Sequence, residues 1–178
     1  MDIEKPYGGL SNDRLTALIN RDNQKTLVEG VDFTFGTPSD YSDSQGRNTQ
    51  VTITPVPGKK YKGPADLHYK RLPLLVLDDL SSGYIVKVQI PGLPFSIHGM
   101  LSAINTALGL NLIEDEVQDV EYTEKLAEYP LRINQGISLA WVDSEYQFKV
   151  HHIGDDVLLS DAIVFNVLDG LEFVQLSE

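Results

Sequence analysis

The chain has 178 residues, no cysteine, and 14 Lys plus Arg against 26 Asp plus Glu, a formal net charge of −12. The length suits one domain or two small ones with a real core, and the missing cysteine excludes disulfides, thiolate metal sites and thiol catalysis. No stretch approaches the roughly 20 apolar residues of a membrane helix, no charged-then-apolar signal peptide opens the chain, and net negativity opposes binding to nucleic acid or anionic lipid.

The charge is unevenly spread. Residues 1–72 hold 10 basic and 9 acidic side chains, and residues 73–178 hold 4 against 17, so the two parts carry +1 and −13. Such asymmetry points to two lobes or to a surface that meets its opposite on a partner, unless the acidic residues simply solvate the second half. The expected division is an extended arm over residues 1–10, a helix-plus-strand lobe over 11–75 and an acidic α+β lobe over 76–178.

In chain order, Pro6 and Gly8-Gly9 mark the arm. Ser11, Asn12 or Asp13 is a candidate helix cap, and Leu15, Leu18 and Ile19 follow on one face, predicting a helix over 13–22. Val31–Phe35 reads as a strand stopped by Gly36 and Pro38, and Ser39–Asn48 as a polar loop. Thr49–Thr54 alternates strictly and predicts a half-buried strand, which Pro55 and Pro57 push toward an edge or a bend. Ala65–Leu72 is a further strand. In the second part, Tyr84–Ile90 is a strand closed by Pro91-Gly92. A helix then runs from a Ser96 cap through Ile97, Met100, Leu101, Ile104 and Leu108 to Gly109. Strands are predicted at Val117–Thr123, Ile137–Val142 and Tyr146–Ile153, with Asp143-Ser144-Glu145 as a hairpin connection, and at Ile163–Val167 and Leu171–Leu176 around Asp169-Gly170. Two short amphipathic helices with about eight strands make an α+β, β-dominated fold of antiparallel sheets or sandwich-like lobes.

Asn20 is followed seven residues later by Leu27-Val28-Glu29, and Asn105 seven residues later by Leu112-Ile113-Glu114. Either one helix-to-strand unit is duplicated, or two amphipathic helices leading into strands merely look alike.

Chemistry-bearing motifs are sparse. Gly58-Lys59-Lys60 lacks the upstream glycine and the Ser/Thr of a phosphate loop, and no serine sits in a nucleophile elbow. His68 reads as a strand residue and His98 as a first-turn helix residue. His151 and His152, adjacent on a strand, face opposite ways and do not share an ion. Asp40, Ser42, Asp43 and Gly46 faintly resemble a calcium loop out of order. Glu114-Asp115-Glu116 gives no facing pair of carboxylates and reads as a solvated turn. No catalytic, metal or cofactor residue is expected. The one basic, aromatic patch is Lys59, Lys60, Tyr61, Lys62, Tyr69 and Arg71, with Lys70 beside it. Tyrosine and arginine favour contact cores, and a basic patch suits the acidic half of a neighbour, so these residues are the candidate assembly interface. Such a head-to-tail contact closes a ring or continues as a tube.

The run Leu18-Ile19-Asn20-Arg21-Asp22-Asn23, Leu27, Val31–Gly36, Ser42-Asp43, Gly46–Thr49, Val51–Thr54, Tyr61-Lys62-Gly63 and His68–Leu72 resembles a domain of virion structural proteins of large tailed bacteriophages, over residues 10–75. The resemblance implies a non-enzymatic building block of the particle, in tail, baseplate, neck or capsid. It also implies a location in the virion after assembly in the host cytoplasm, and partners that are other virion proteins and copies of itself in a homo-oligomer. The alternative is a carbohydrate- or receptor-binding module of a fibre or baseplate, using Tyr41, Tyr61 or Trp141 as sugar platforms.

Overall fold

The computed structural model describes residues 9–77, 87–90, 92–142 and 144–152. The arm up to Gly8, the first three residues of the strand expected at Tyr84–Ile90 and the last two expected strands lie outside them. The described residues form an α+β, β-dominated fold of two helices and nine short strands.

The first lobe opens with α1, Ser11–Asn23, which buries Ser11, Leu15 and Ile19. Its start differs from the sequence expectation. Leu10 takes the cap position without a side-chain bond, and its carbonyl accepts the Arg14 N–H. A four-stranded sheet follows, with β3 (Thr49–Pro55) at its centre. One flank of β3 carries β1 (Phe33–Phe35) and then β2 (Ser39–Asp40), and the other carries β4 (Ala65–Tyr69), all antiparallel. The polar segment expected as a loop thus contributes β2. Leu15, Ile19, Phe33 and Val51 form this lobe's core, and Leu139 joins them from the second half of the chain.

The second lobe holds β5 (Lys87–Ile90), β6 (Phe95–Ser96), α2 (Ile97–Leu108), β7 (Glu121–Tyr122), β8 (Tyr129–Arg132) and β9 (Glu145–His152). Strand β9 is central, parallel to β5 and antiparallel to β8, while β6 pairs with β7. Helix α2 follows its sequence signals. The Ser96 hydroxyl accepts the Gly99 N–H, and Gly109 ends the helix at φ 66°, the left-handed turn that glycine adopts without strain. Its core includes Leu74, Val88, Ile90, Ile97, Ile104 and Leu131, along with Phe95, Tyr129 and Phe148, whose rings pack with centroids 5.1 Å (Phe95–Tyr129) and 6.1 Å (Tyr129–Phe148) apart.

Ile137–Val142 is not a strand. Gly136 turns the backbone at φ 69°, and the Ser138 hydroxyl accepts the N–H groups of Ala140 and Trp141, giving the chain a local alternative to ladder bonds. Consequently β9 pairs not with that segment but with β8, a strand whose Pro130 hid it in the sequence.

The Asn20 and Asn105 segments share one geometry. Asn20 Nδ2 donates to the Leu27 carbonyl and its Oδ1 accepts the Leu27 N–H, both at 2.8 Å. Asn105 does the same to Leu112 at 2.8 and 3.0 Å. In both, the residue four after the Asn is left-handed, Gln24 at φ 52° and Gly109 at φ 66°. The next N–H, of Lys25 or Leu110, donates 2.9 Å to the Asn carbonyl. A downstream carboxylate then accepts the N–H of the residue after the clamped leucine, Asp32 for Val28 and Glu116 for Ile113. The chain therefore uses one helix–clamp–turn unit twice.

Removing the Asn105 side chain leaves both backbone groups of buried Leu112 without partners, at roughly 1–3 kcal/mol for an orphaned pair. Asn105→Ala should lower the urea-unfolding free energy by about 2 kcal/mol, and Asn20→Ala by less because Leu27 is only half-buried. Wild-type stability in Asn105→Ala would show that the clamp is incidental.

Candidate functional site

The basic loop lies between β3 and β4, where Pro57-Gly58 and Gly63 break the ladder, and Lys59, Lys60, Tyr61 and Lys62 all stand exposed on it. Lys60 Nζ sits 5.5 Å from the Tyr61 ring centroid, a cation–π distance. Tyr61 and Lys62 also line a cavity of about 210 Å³ whose other walls are mainly the apolar Leu27, Phe33, Ile53 and Pro55. An exposed cationic loop therefore borders an apolar recess, the combination of charged rim and desolvated centre found at protein contacts.

The other two members of the sequence-derived patch belong elsewhere. Strand β4 ends at Tyr69, whose ring packs on the first core. Burial pushes its phenol pKa well up, and the nearby Arg71 charge pulls only weakly the other way. Arg71 is 3% exposed and cannot meet a partner. Its N–H donates to Asn48 Oδ1 at 2.8 Å, its Nε to Thr49 Oγ1 at 2.8 Å, and its Nη1 to the carbonyls of Ser138 at 3.1 Å and Trp141 at 3.4 Å. The Asp40 carboxylate stands 3.7 Å from Nη2. Thus Arg71 joins the two lobes rather than two chains. The signal that distinguishes it from the lysines is the apolar Leu72-Pro73-Leu74 run directly after it, which enters the second core.

Asp43, Asp119 and His98 are internally engaged. The suggested calcium loop is folded on itself: Asp43 accepts the N–H groups of Gln45 and Arg47 and pairs with the Arg47 guanidinium. Desolvation raises its pKa, but these bonds outweigh it and hold the carboxyl below its ordinary value. Asp119 is likewise lowered, first by the His98 N–H it accepts at 2.9 Å, so it acts as a second cap of α2. The His98 ring is occupied as well, with Nε2 3.0 Å from the Val117 carbonyl. In the acidic turn Glu114 and Asp115 are exposed, but Glu116 is 2% exposed, correcting the reading of a wholly solvated run. Among the described residues no three His, Asp or Glu side chains stand together as a metal site. Of the suggested sugar platforms, Trp141 is buried and Tyr41 stacks on His68 at 4.1 Å, which leaves Tyr61 open.

Comparison with known proteins matches residues 4–177 to a family of unknown function, DUF7941. The chain belongs to this family. No curated protein and no solved structure matches it. In this DUF7941 member the match runs through both lobes, so the twice-used helix–clamp–turn unit lies inside one family-length segment.

The Tyr69 hydroxyl is buried without a hydrogen-bond partner among the described residues. Tyr69→Phe should therefore hold or raise stability at neutral pH, by up to about 1 kcal/mol. The folded state keeps the phenol protonated above its unfolded value, so that stability is present below pH 10.0, the ordinary phenol value, and is lost above it. Wild-type protein should lose up to about 1.4 kcal/mol per pH unit there, and Tyr69→Phe correspondingly less. Parallel alkaline profiles of the two proteins would contradict this placement.

Proposed function

We propose that the chain is a non-enzymatic structural subunit of a tailed bacteriophage particle, resident in the virion and acting through contacts with copies of itself and other virion proteins. The observation that carries this reading is the exposed Lys59–Lys62 loop set beside an apolar cavity on the near-neutral half of the chain. The second half of the chain presents Glu114, Asp115, Asp119, Glu121, Glu124 and Glu128 exposed to solvent. Opposite charges on opposite halves favour head-to-tail encounter and discourage like-to-like pairing. The resemblance of residues 10–75 to phage virion domains supplies the biological setting.

Mass spectrometry of purified particles should find the protein at many copies, and its absence would reject the proposal. If charge drives assembly, replacing Lys59, Lys60 and Lys62 together by Glu should weaken association in low salt, where screening over about 10 Å is least effective. Association unchanged by both salt and the triple replacement would remove the loop from the interface.

A further inference from the structure

Resting on that assembly reading, we propose that Ile113 of one copy seats in the cavity beside the Lys59–Lys62 loop of a second copy, with Glu114 and Asp115 facing the loop's lysines. At about 210 Å³ the cavity is smaller than the roughly 300–1,000 Å³ of sites that hold small-molecule ligands, and it suits a branched aliphatic side chain. Its one acidic wall residue, Asp32, is engaged with the Val28 N–H at 2.9 Å. Lys62, in the wall, and the exposed Lys59 and Lys60 beside it favour an occupant with negative neighbours.

Ile113 meets that description. Its side chain is 47% exposed while the backbone around it is held from several sides. Asn105 clamps Leu112, Glu116 Oε2 accepts the Ile113 N–H at 3.2 Å, and Asn134 Nδ2 donates to the carbonyls of Asp115 at 2.9 Å and Val117 at 3.0 Å. A knob held this way loses little freedom on docking, and that ordering cost is what usually limits loop contacts. Among the described exposed apolar side chains of the second half, which include Leu75, Leu93, Leu126 and Ile137, only Ile113 is followed directly by two exposed carboxylates. The equivalent position of the first unit, Val28, precedes Glu29 and Gly30 and offers half that charge. Knob and recess are different patches of the same chain, so the contact is heterologous and each subunit offers one of each.

The absence of cysteine makes a clean cross-linking test possible. Lys62→Cys and Glu114→Cys are prepared separately, mixed at low salt and treated with a short bis-maleimide, with Glu121→Cys as the exposed acidic control. Cross-linked dimers should form in the Lys62→Cys with Glu114→Cys mixture well above the control mixture. In sedimentation, Ile113→Asp should weaken self-association by about tenfold or more, as loss of a central anchor does, and Ile137→Asp by less than about twofold. Equal yields for Glu114→Cys and Glu121→Cys, or wild-type association in Ile113→Asp, would overturn the contact. A wild-type chain that stays monomeric at low salt yet is abundant in particles would also overturn it while leaving the structural-subunit reading intact. Absence from particles would instead remove that reading.

Discussion

Arg71 brings a positive charge to a site that is almost closed to water, where an unmatched ion is costly and a matched one is an anchor. The match is built mostly from neutral oxygens. The Thr49 hydroxyl accepts from Nε while donating to Asn48 Oδ1, and two carbonyls from the second lobe accept from Nη1. Asn48 in turn holds the Arg71 backbone at both its N–H and its carbonyl. Immediately beyond, Leu72 exchanges backbone bonds with Ala140 and Val142, and Leu139 reaches back into the first core. One guanidinium therefore closes the join at which the central strand of the first sheet meets the Ser138 turn of the second lobe. A lysine there would offer one compact ammonium in place of a planar fork and could not serve Thr49 and Ser138 together with the same geometry.

Under the proposed assembly, that join matters because it fixes the acidic half against the half that carries the lysine loop. Head-to-tail assembly needs both patches at a constant separation and angle, since every error in the subunit is repeated along the array. The two clamped units contribute at the local level. In each, an asparagine at the helix end captures the backbone seven residues on, so the turn that follows leaves the helix in one direction. The surfaces differ on this common frame: the first turn borders the apolar cavity through Leu27, while the second leaves Ile113 exposed beside exposed carboxylates.

Several of these features are legible in the residues. Strict alternation marks β3, and the Ser96 cap with the Gly109 stop brackets α2, because each is enforced by interactions within a few residues. The shared spacing from Asn to Leu-Val-Glu and Leu-Ile-Glu exposes the repeated unit for the same reason. What escapes sequence reading depends on distant partners. Ile137–Val142 alternates like a strand, yet Gly136 and the Ser138 hydroxyl bend it and its sheet position goes to β8. Arg71 follows the Lys59–Lys62 run and Lys70 in composition, but two of its side-chain acceptors lie 67 and 70 residues further along the chain. The structure leaves Lys59, Lys60, Tyr61 and Lys62 exposed and buries Arg71, and Tyr69 and Arg71 join that patch in sequence by adjacency alone.

The chain's single tryptophan, Trp141, lies at the join and gives its carbonyl to Arg71, so it reports on the central claim directly. Urea unfolding of the wild type and of Arg71→Met, followed both by Trp141 fluorescence and by far-ultraviolet circular dichroism, is the decisive measurement. The account predicts coincident transitions in the wild type and, in Arg71→Met, a fluorescence transition that moves to lower urea and precedes the loss of secondary structure. Coincident transitions at the wild-type midpoint in both proteins would contradict it.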